Sequence, residues 1–437
     1  MASLTVKTVT VIGATGTMGA NVAGIFASFG NAKVFCVGRD IRKVEKTIPR
    51  IVKSVRADSI RKNLQPAGWS MLDDCIRQSD LVFESVAEDL EVKRTIARIV
   101  SENLAEDAIS CTGSSGLSID EISECYSDEQ RKRYCGVHMF NPPYSMTLCE
   151  LIPSSYADPS VMDSLAAYLA EKLLRTVVMV KDSPAFLANR IGFQFINETM
   201  QYAERFKDSG GIDYIDAILG PFSGRAMAPL ATADFVGLDI HKAIVDNLYS
   251  KTSDYEHETF RLPEFASSLI KAGRLGRKSG EGLYKTFTYD NGLKRQAVYD
   301  LSLGTYVDKR KYVFPFALEM NAFIHEGDYA KAFGVLVENR SREAEICLSF
   351  LLEYIVYSLY CAQEVAYTPD ACDAVMSAGF NWCPPLALYK ALGQVCDVGR
   401  LMRERIPEIC MNVDVNDLLR NVPESKYDYR PYFKAGK

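Results

Sequence analysis

The stretch TVTVIGATGTMGA, Thr8 to Ala20, decides the fold. Five β-branched residues, Thr8 to Ile12, run straight into Gly13-Ala14-Thr15-Gly16-Thr17-Met18-Gly19, and a helix is expected from Ala20. β-branched side chains are stiff and pack well on a pleated surface, so the first five residues read as a strand. Glycines behind such a strand permit a tight turn and let backbone N–H groups approach a pyrophosphate at the next helix N-terminus. Placed between a strand and a helix, Gly13, Gly16, Thr17, Met18 and Gly19 are expected to bind a dinucleotide. The spacing is GxxGxxG, one residue longer in the turn than GxGxxG.

Working outward, short β-rich runs at 8–12, 33–37, 81–85, 108–111 and 133–137 alternate with helix-length amphipathic segments such as 92–103, and 173–180 adds one more strand. Alternation of this kind predicts an α/β domain of Rossmann type, a parallel doubly wound sheet. Past Lys181-Asp182-Ser183-Pro184 the chain reads as helices, beginning at 186–206 and closing at the glycine-rich GRKSGEGLY of 276–284. A strand-poor, charged connector is expected over 288–339, with helices again from 341. The helical part repeats itself. Asp213, Asp216 and Ala217 match Asp370, Asp373 and Ala374, and Pro229-Leu230-Ala231 with Gly237 matches Pro385-Leu386-Ala387 with Gly393. The expected organisation is a dinucleotide-binding domain at 1–185, a helical domain at 186–288, a connector at 289–340 and a second, related all-α domain at 341–437.

The 437 residues suffice for two or three cores. A net charge of −6 without a basic cluster argues against a nucleic-acid partner. Twelve cysteines occur without CxxC pairs or zinc spacing, so no metal is expected and the thiols read as small buried hydrophobes in a reducing compartment. The most apolar window, 346–362, is broken by Glu353 and reads as a core helix, so no membrane partner is expected. No signal peptide is visible before the first strand, and a cytoplasmic location is expected.

Two places carry chemistry. The second strand ends in Val37-Gly38-Arg39-Asp40, where a ribose-binding carboxylate is expected near Gly38 and is absent. Arg39 could meet the 2′-phosphate of NADP, or Asp40 could reach the ribose of NAD, so the choice of dinucleotide stays open. The second place is GVHMFNPPYSMTLCELI, 136–152, which holds His138, one of four histidines, with Glu150 twelve positions on. Histidine titrates near neutral pH and suits a general base, and a carboxylate on its far nitrogen would fix the tautomer. A lone histidine in such a stretch can equally be structural.

Gly13–Gly19, VAEDLEVK at 86–93, SSGLSI at 114–119, HMFNPP with Glu150, and PAFLANR at 184–190 together resemble the 3-hydroxyacyl-CoA dehydrogenase family. PLATADFVGLD at 229–239 and GRKSGEGLYK at 276–285 fit its helical domain, and the resemblance covers roughly 5–287, with the second copy extending it to about 395. It implies oxidation of the 3-hydroxyl of an acyl-CoA with hydride passing to NAD or NADP. His138 matches the family's base, Glu150 its orienting glutamate, Asn189 the substrate-positioning asparagine and Ser115 the active-site serine. Gly113 stands where the family has asparagine, and the segment up to His138 is longer, so Ser114 competes with Ser115. Glu88, Lys93 and Asn141 match positions bordering the nicotinamide. The resemblance lays the cation-rich segment 42–62 over the CoA, with Lys53 and Arg56 as candidates for its phosphates. It further implies that the second helical domain replaces a dimer partner, giving a monomer or an atypical oligomer, and that hydratase activity is absent. The alternatives are a dehydrogenase of a free hydroxy acid or sugar acid and, from another class, a dinucleotide-binding protein without catalysis.

Overall fold

In the computed structural model of the chain, which describes residues 4–288, 292–420 and 422–434, the β-branched run Thr8–Ile12 is β1 at the centre of an eight-stranded sheet. The other strands are β2 Lys33–Gly38, β3 Leu64–Gly68, β4 Leu81–Glu84, β5 Ile109–Thr112, β6 Tyr134–Met139, β7 Leu148–Pro153 and β8 Thr176–Met179, in the order β3-β2-β1-β4-β5-β6-β7-β8. The first six are parallel and reproduce the 3-2-1-4-5-6 order of a Rossmann sheet. Helix α1 (Thr17–Ser28) follows the glycine loop, α2 (Ile41–Val55) follows β2, and α3 (Leu90–Asn103) follows β4. The apolar residues Val22, Ile25 and Phe26 of α1 share one core with Val9, Val11, Val34 and Phe83 of the sheet.

Two strands are corrections to the sequence reading. β3, which contains Pro66 and ends in Gly68, is not among the expected strands; an edge strand tolerates proline because its outer ladder is unpaired. β7 runs antiparallel to β6, so the sheet is mixed rather than fully parallel. The run at 173–180 begins pairing only at Thr176, because Leu174 adopts a φ of +55°, outside extended geometry.

The chain divides after Phe186, and Val365–Tyr367 belong with the first unit. The second unit is mainly helical, and begins with α4 (Ala188–Arg205), α5 (Ile212–Ile218) and α6 (Pro229–Val236). The segment expected to be a strand-poor connector instead holds an antiparallel sheet of β9 (Tyr284–Thr288), β10 (Lys294–Asp300) and β11 (Thr305–Asp308), followed by α7 (Pro315–Glu326) and α8 (Tyr329–Glu338). The first half of β10, KRQ, is exposed and charged, which disguised a strand whose later residues Ala297 and Val298 are buried. The expected boundary at 288/289 adjoins residues outside the described ones. Helices α9 (Arg342–Val365), α10 (Ala371–Phe380) and α11 (Pro385–Leu392) complete the labelled set. Among the described residues α9 alone is long and apolar enough to cross a membrane, and 78% of its apolar window is buried inside the protein.

The sequence repeat is one structural device used twice. The carboxylate of Asp216 accepts the N–H groups of Leu230 and Ala231 at 2.8 and 2.9 Å, just behind Pro229 at the start of α6. Asp373 accepts the N–H of Leu386 at 2.7 Å, just behind Pro385 at the start of α11. Proline lacks the donor that would otherwise be orphaned there, and the buried carboxylate serves the next ones. Burial pushes both carboxyl groups up to about 6. The segments that carry the two matching motifs pack on one another within the unit. Phe195 of α4 meets Phe350 and Trp382 at ring distances of 5.1 and 5.2 Å, and the buried guanidinium of Arg225 lies 3.9 Å from the Phe195 ring.

Candidate active site

Strands β6 and β7 are register partners, and their pairing sets His138 directly opposite Glu150. Side chains of opposed residues in an antiparallel pair project from the same face, so the twelve-residue separation closes to a contact. Nδ1 of His138 lies 2.7 Å from Oε2 of Glu150; the histidine is 5% exposed and the glutamate fully buried. Phe140 and Phe186 flank the imidazole at ring distances of 4.6 and 5.6 Å. With Nδ1 engaged by the carboxylate, Nε2 is the nitrogen left for a substrate hydroxyl.

The serine loop follows β5. Ser114 is buried; its hydroxyl donates to Oε1 of Glu88 at 2.6 Å and accepts the N–H of Leu117 at 3.0 Å. The Ser115 N–H donates to the same Glu88 oxygen at 2.7 Å, while the residue stays partly exposed. Glu88 and Lys93 are therefore not a free surface pair. Lys93 is 1% exposed, 3.4 Å from Glu88 and 3.0 Å from Glu84. Glu84, which the sequence reading missed, also accepts from Thr112 at 2.7 Å. Its only signal was an acidic residue ending an otherwise apolar strand, LVFE.

The glycine loop fits a dinucleotide. Gly13 has a φ of +88°, and a Cβ there would lie 2.2 Å from the Ser85 carbonyl oxygen. A Cβ on Gly19 would lie 2.4 Å from the Gly13 carbonyl, so both close approaches require glycine. No side chain caps α1, which leaves the N–H groups of its first turn, at Thr17, Met18 and Gly19, for an anion. At the end of β2 a side chain on Gly38 would meet Val44 at 2.7 Å and Thr15 at 3.0 Å, so the expected carboxylate position is filled by neighbours. Asp40 caps α2, its carboxylate accepting the Arg42 N–H at 2.9 Å, and Arg39 is exposed. Asn141 accepts from the Asn21 amide at 3.2 Å, beside α1.

On α2, Lys43, Lys46, Arg50 and Lys53 are exposed at helical spacing while Val44, Thr47, Ile48 and Ile51 are buried. Arg56 is exposed and ends the helix in left-handed geometry at φ +58°. Arg50 reaches the Thr15 carbonyl at 3.2 Å and lines a cavity of about 360 Å³ with Thr17, Asn21, Ser54 and Tyr144. A larger cavity, about 780 Å³, lies at the other edge of the strands among Asp80, Asp107 and Arg133 and touches none of these groups. Asn189 belongs to the second unit, 5% exposed in the first turn of α4, three residues after Phe186. No group of three His, Cys, Asp or Glu among the described residues is placed to hold a metal ion.

Comparison with known proteins gives a consistent result. The family described as 3-hydroxyacyl-CoA dehydrogenase, NAD binding domain, matches residues 8–183, and its C-terminal domain matches 186–286. A probable 3-hydroxyacyl-CoA dehydrogenase of Bacillus subtilis is 32% identical over 322 residues, 73% of this chain but 39% of the relative's length. Another from Deinococcus radiodurans is 33% identical over 295 residues, 64% of this chain and 83% of the relative. Among solved structures, the (S)-3-hydroxybutyryl-CoA dehydrogenase of Ralstonia eutropha superposes with a TM-score of 0.56 at 26% identity, over 63% of this chain and 98% of its own. The 3-hydroxybutyryl-CoA dehydrogenase of Escherichia coli shares the fold over 92% of this chain and 96% of its own, with a TM-score of 0.67 at 20% identity.

Proposed function

The chain belongs to the 3-hydroxyacyl-CoA dehydrogenase family, and we propose that it interconverts (3S)-3-hydroxyacyl-CoA and 3-oxoacyl-CoA with His138 as the proton-transferring group. The observation that carries this reading is the 2.7 Å contact between buried His138 and buried Glu150. The nicotinamide supplies the hydride acceptor in one direction and the donor in the other. As hydride leaves C3, Nε2 of His138 takes the hydroxyl proton and the carbonyl forms. Glu150 holds the Nδ1–H tautomer and stabilises the imidazolium, as a buried carboxylate does behind any such histidine. Ser115, the match to the family's active-site serine, would offer its hydroxyl to the substrate oxygen, while the Ser114 hydroxyl bonds to Glu88 and to the Leu117 N–H. Asn189, the match to the family's substrate-positioning asparagine, would hold the same oxygen or the thioester carbonyl. Lys93, Glu88 and Asn141 border the nicotinamide half, the first two tied to the serine loop through Glu88.

The cation row on α2, with Lys53 and Arg56 at its end and the Arg50 cavity beside it, would take the CoA phosphates. NAD is the family default. The crowded Gly38 position, the committed Asp40 carboxylate and the exposed Arg39 favour acceptance of NADP as well. The packing of the second helical copy on the first supports a monomer, and twelve free thiols fit a reducing, cytoplasmic setting. Oxidation of a panel of 3-hydroxyacyl-CoA chain lengths with NAD and with NADP tests the reading. Turnover on acyl-CoA that His138→Ala abolishes supports it; turnover only on free hydroxy acids, or an active His138→Ala, overturns it.

A further inference from the structure

The segment joining β8 to α4 carries Phe186, which faces the His138 ring, and Asn189 three residues on. Each end of that segment is tied to residues 364–366, at and just past the end of α9. At the near end the Lys181 N–H donates to the Val365 carbonyl at 2.8 Å and Val180 forms an isolated antiparallel bridge with Ala366, so residues 365–367 group with the first unit. At the far end stands Arg190, buried and one residue past Asn189. Its Nη2 donates to Glu364 at 2.6 Å and to Asp254 at 2.7 Å, and its Nε to the Tyr357 hydroxyl at 3.4 Å. Tyr357 in turn donates to Asp254 at 2.9 Å. Asp254 is 1% exposed and cannot part from the buried guanidinium without leaving uncompensated charge, while Glu364, 44% exposed, sets the second direction in which the guanidinium is held, so the first turn of α4 is fixed in orientation. Glu364 and Val365 are consecutive, and the two ties therefore come from one point of the second copy.

From this arrangement we propose that Glu364 is a positioning residue for the reaction: through Arg190 it orients the first turn of α4 and hence Asn189, while the backbone immediately after it fixes the entry of the same segment. The inference rests on the reading above, in which Asn189 holds the substrate. It assigns the second helical copy a part in catalysis beyond filling an interface. Position errors of about an ångström in such a group cost up to roughly a hundredfold in rate.

The test uses the full-length chain, with Glu364→Ala, Glu364→Gln and, as control, Gln363→Ala, an exposed neighbour on the same helix. Expected for Glu364→Ala is a fall in kcat of about ten- to a hundredfold with unchanged dinucleotide affinity. The deuterium isotope effect on kcat with substrate labelled at C3 should rise, because a displaced substrate makes hydride transfer more rate-limiting. Glu364→Gln, which keeps an acceptor oxygen for Arg190, should lie between Ala and wild type, and Gln363→Ala should match wild type. A Glu364→Ala variant within twofold of wild type overturns the inference. So does a fall in kcat with an unchanged isotope effect, which would mean only fewer folded molecules. A wild-type chain without turnover on any acyl-CoA instead overturns the functional reading beneath it.

Discussion

Replacing Glu256 by glutamine should remove a large part of the pH dependence of the helical unit. Glu256 is 9% exposed and packs against Glu198 of α4; the Gln194 amide donates to both carboxylates, at 3.3 and 3.1 Å. Glu353 of α9 completes the cluster, with Asp254, Tyr255 and Tyr202 nearby and Arg205 the cation that acts on Glu198. Burial, and then the charge of Glu198, push the Glu256 carboxyl up to about 8 from an ordinary 4.5. Burial lifts Glu353 to about 7, and Glu198 is held well above the carboxylate range by burial and by Glu353. A raised carboxyl keeps in the folded state a proton that the unfolded chain releases. Its stabilisation is therefore complete below pH 4.5 and is lost as pH rises through about 8. At about 1.4 kcal/mol per pH unit, Glu256 alone accounts for roughly 3 kcal/mol of lost stability between about pH 5.5 and 8.5.

The assay is urea unfolding at those two pH values, followed by tryptophan fluorescence in a Trp69→Phe background. Trp69 is 39% exposed and lies in the first unit, whereas Trp382 is 1% exposed against Phe195, so the remaining signal reports the helical unit. Wild type should lose stability as pH rises, and Glu256→Gln should lose about 3 kcal/mol less than wild type between the two pH values. Equal pH slopes for the two proteins, or a wild type that gains stability with pH, would refute the protonated cluster.

Glu150→Gln should lower turnover by roughly 10² to 10⁴ while dinucleotide affinity, by fluorescence titration, stays at the wild-type value; unchanged turnover would remove Glu150 from the mechanism. Lys93→Met leaves Glu84 buried without its cation, and should destabilise the first unit by about 3–5 kcal/mol in denaturant unfolding. Gly13→Ala combines a left-handed φ with a Cβ 2.2 Å from the Ser85 carbonyl, so it should abolish dinucleotide binding and lower the melting temperature. A Gly13→Ala variant that binds with wild-type affinity would show that the loop is looser than its geometry.

Local pattern and register account for what could be read without coordinates. The β-branched run and the glycines were legible because each residue acts on its own backbone, and so was the Asp–Pro repeat, whose two copies differ by one residue between the acidic pair and the proline. What stayed hidden depended on tertiary neighbours. β3 was missing from the expected strands, and its Pro66 is tolerable only at a sheet edge. β10 looked like linker because its first three residues face solvent. Glu84 looked like an ordinary strand end, and its value as a partner for Lys93 appears only when α3 lies over β4. The pairing of His138 with Glu150 was implied by resemblance; the antiparallel β7 that produces it was not anticipated.

The antiparallel ladder has a consequence for how this site can change. Because His138 and Glu150 are matched by backbone hydrogen bonding on β6 and β7, their spacing does not depend on the eight residues 140–147 that turn the chain between the strands. That turn holds Asn141 and Tyr144, which reach toward α1 through Asn21. Residues can thus be added to or removed from the turn, reshaping what it touches, while the acid–base pair keeps its alignment. In the proposed mechanism the hairpin separates the turn, which would contact a ligand, from the His138–Glu150 pair, which would move the proton, and loop exchange between relatives is the natural way to retune one without disturbing the other.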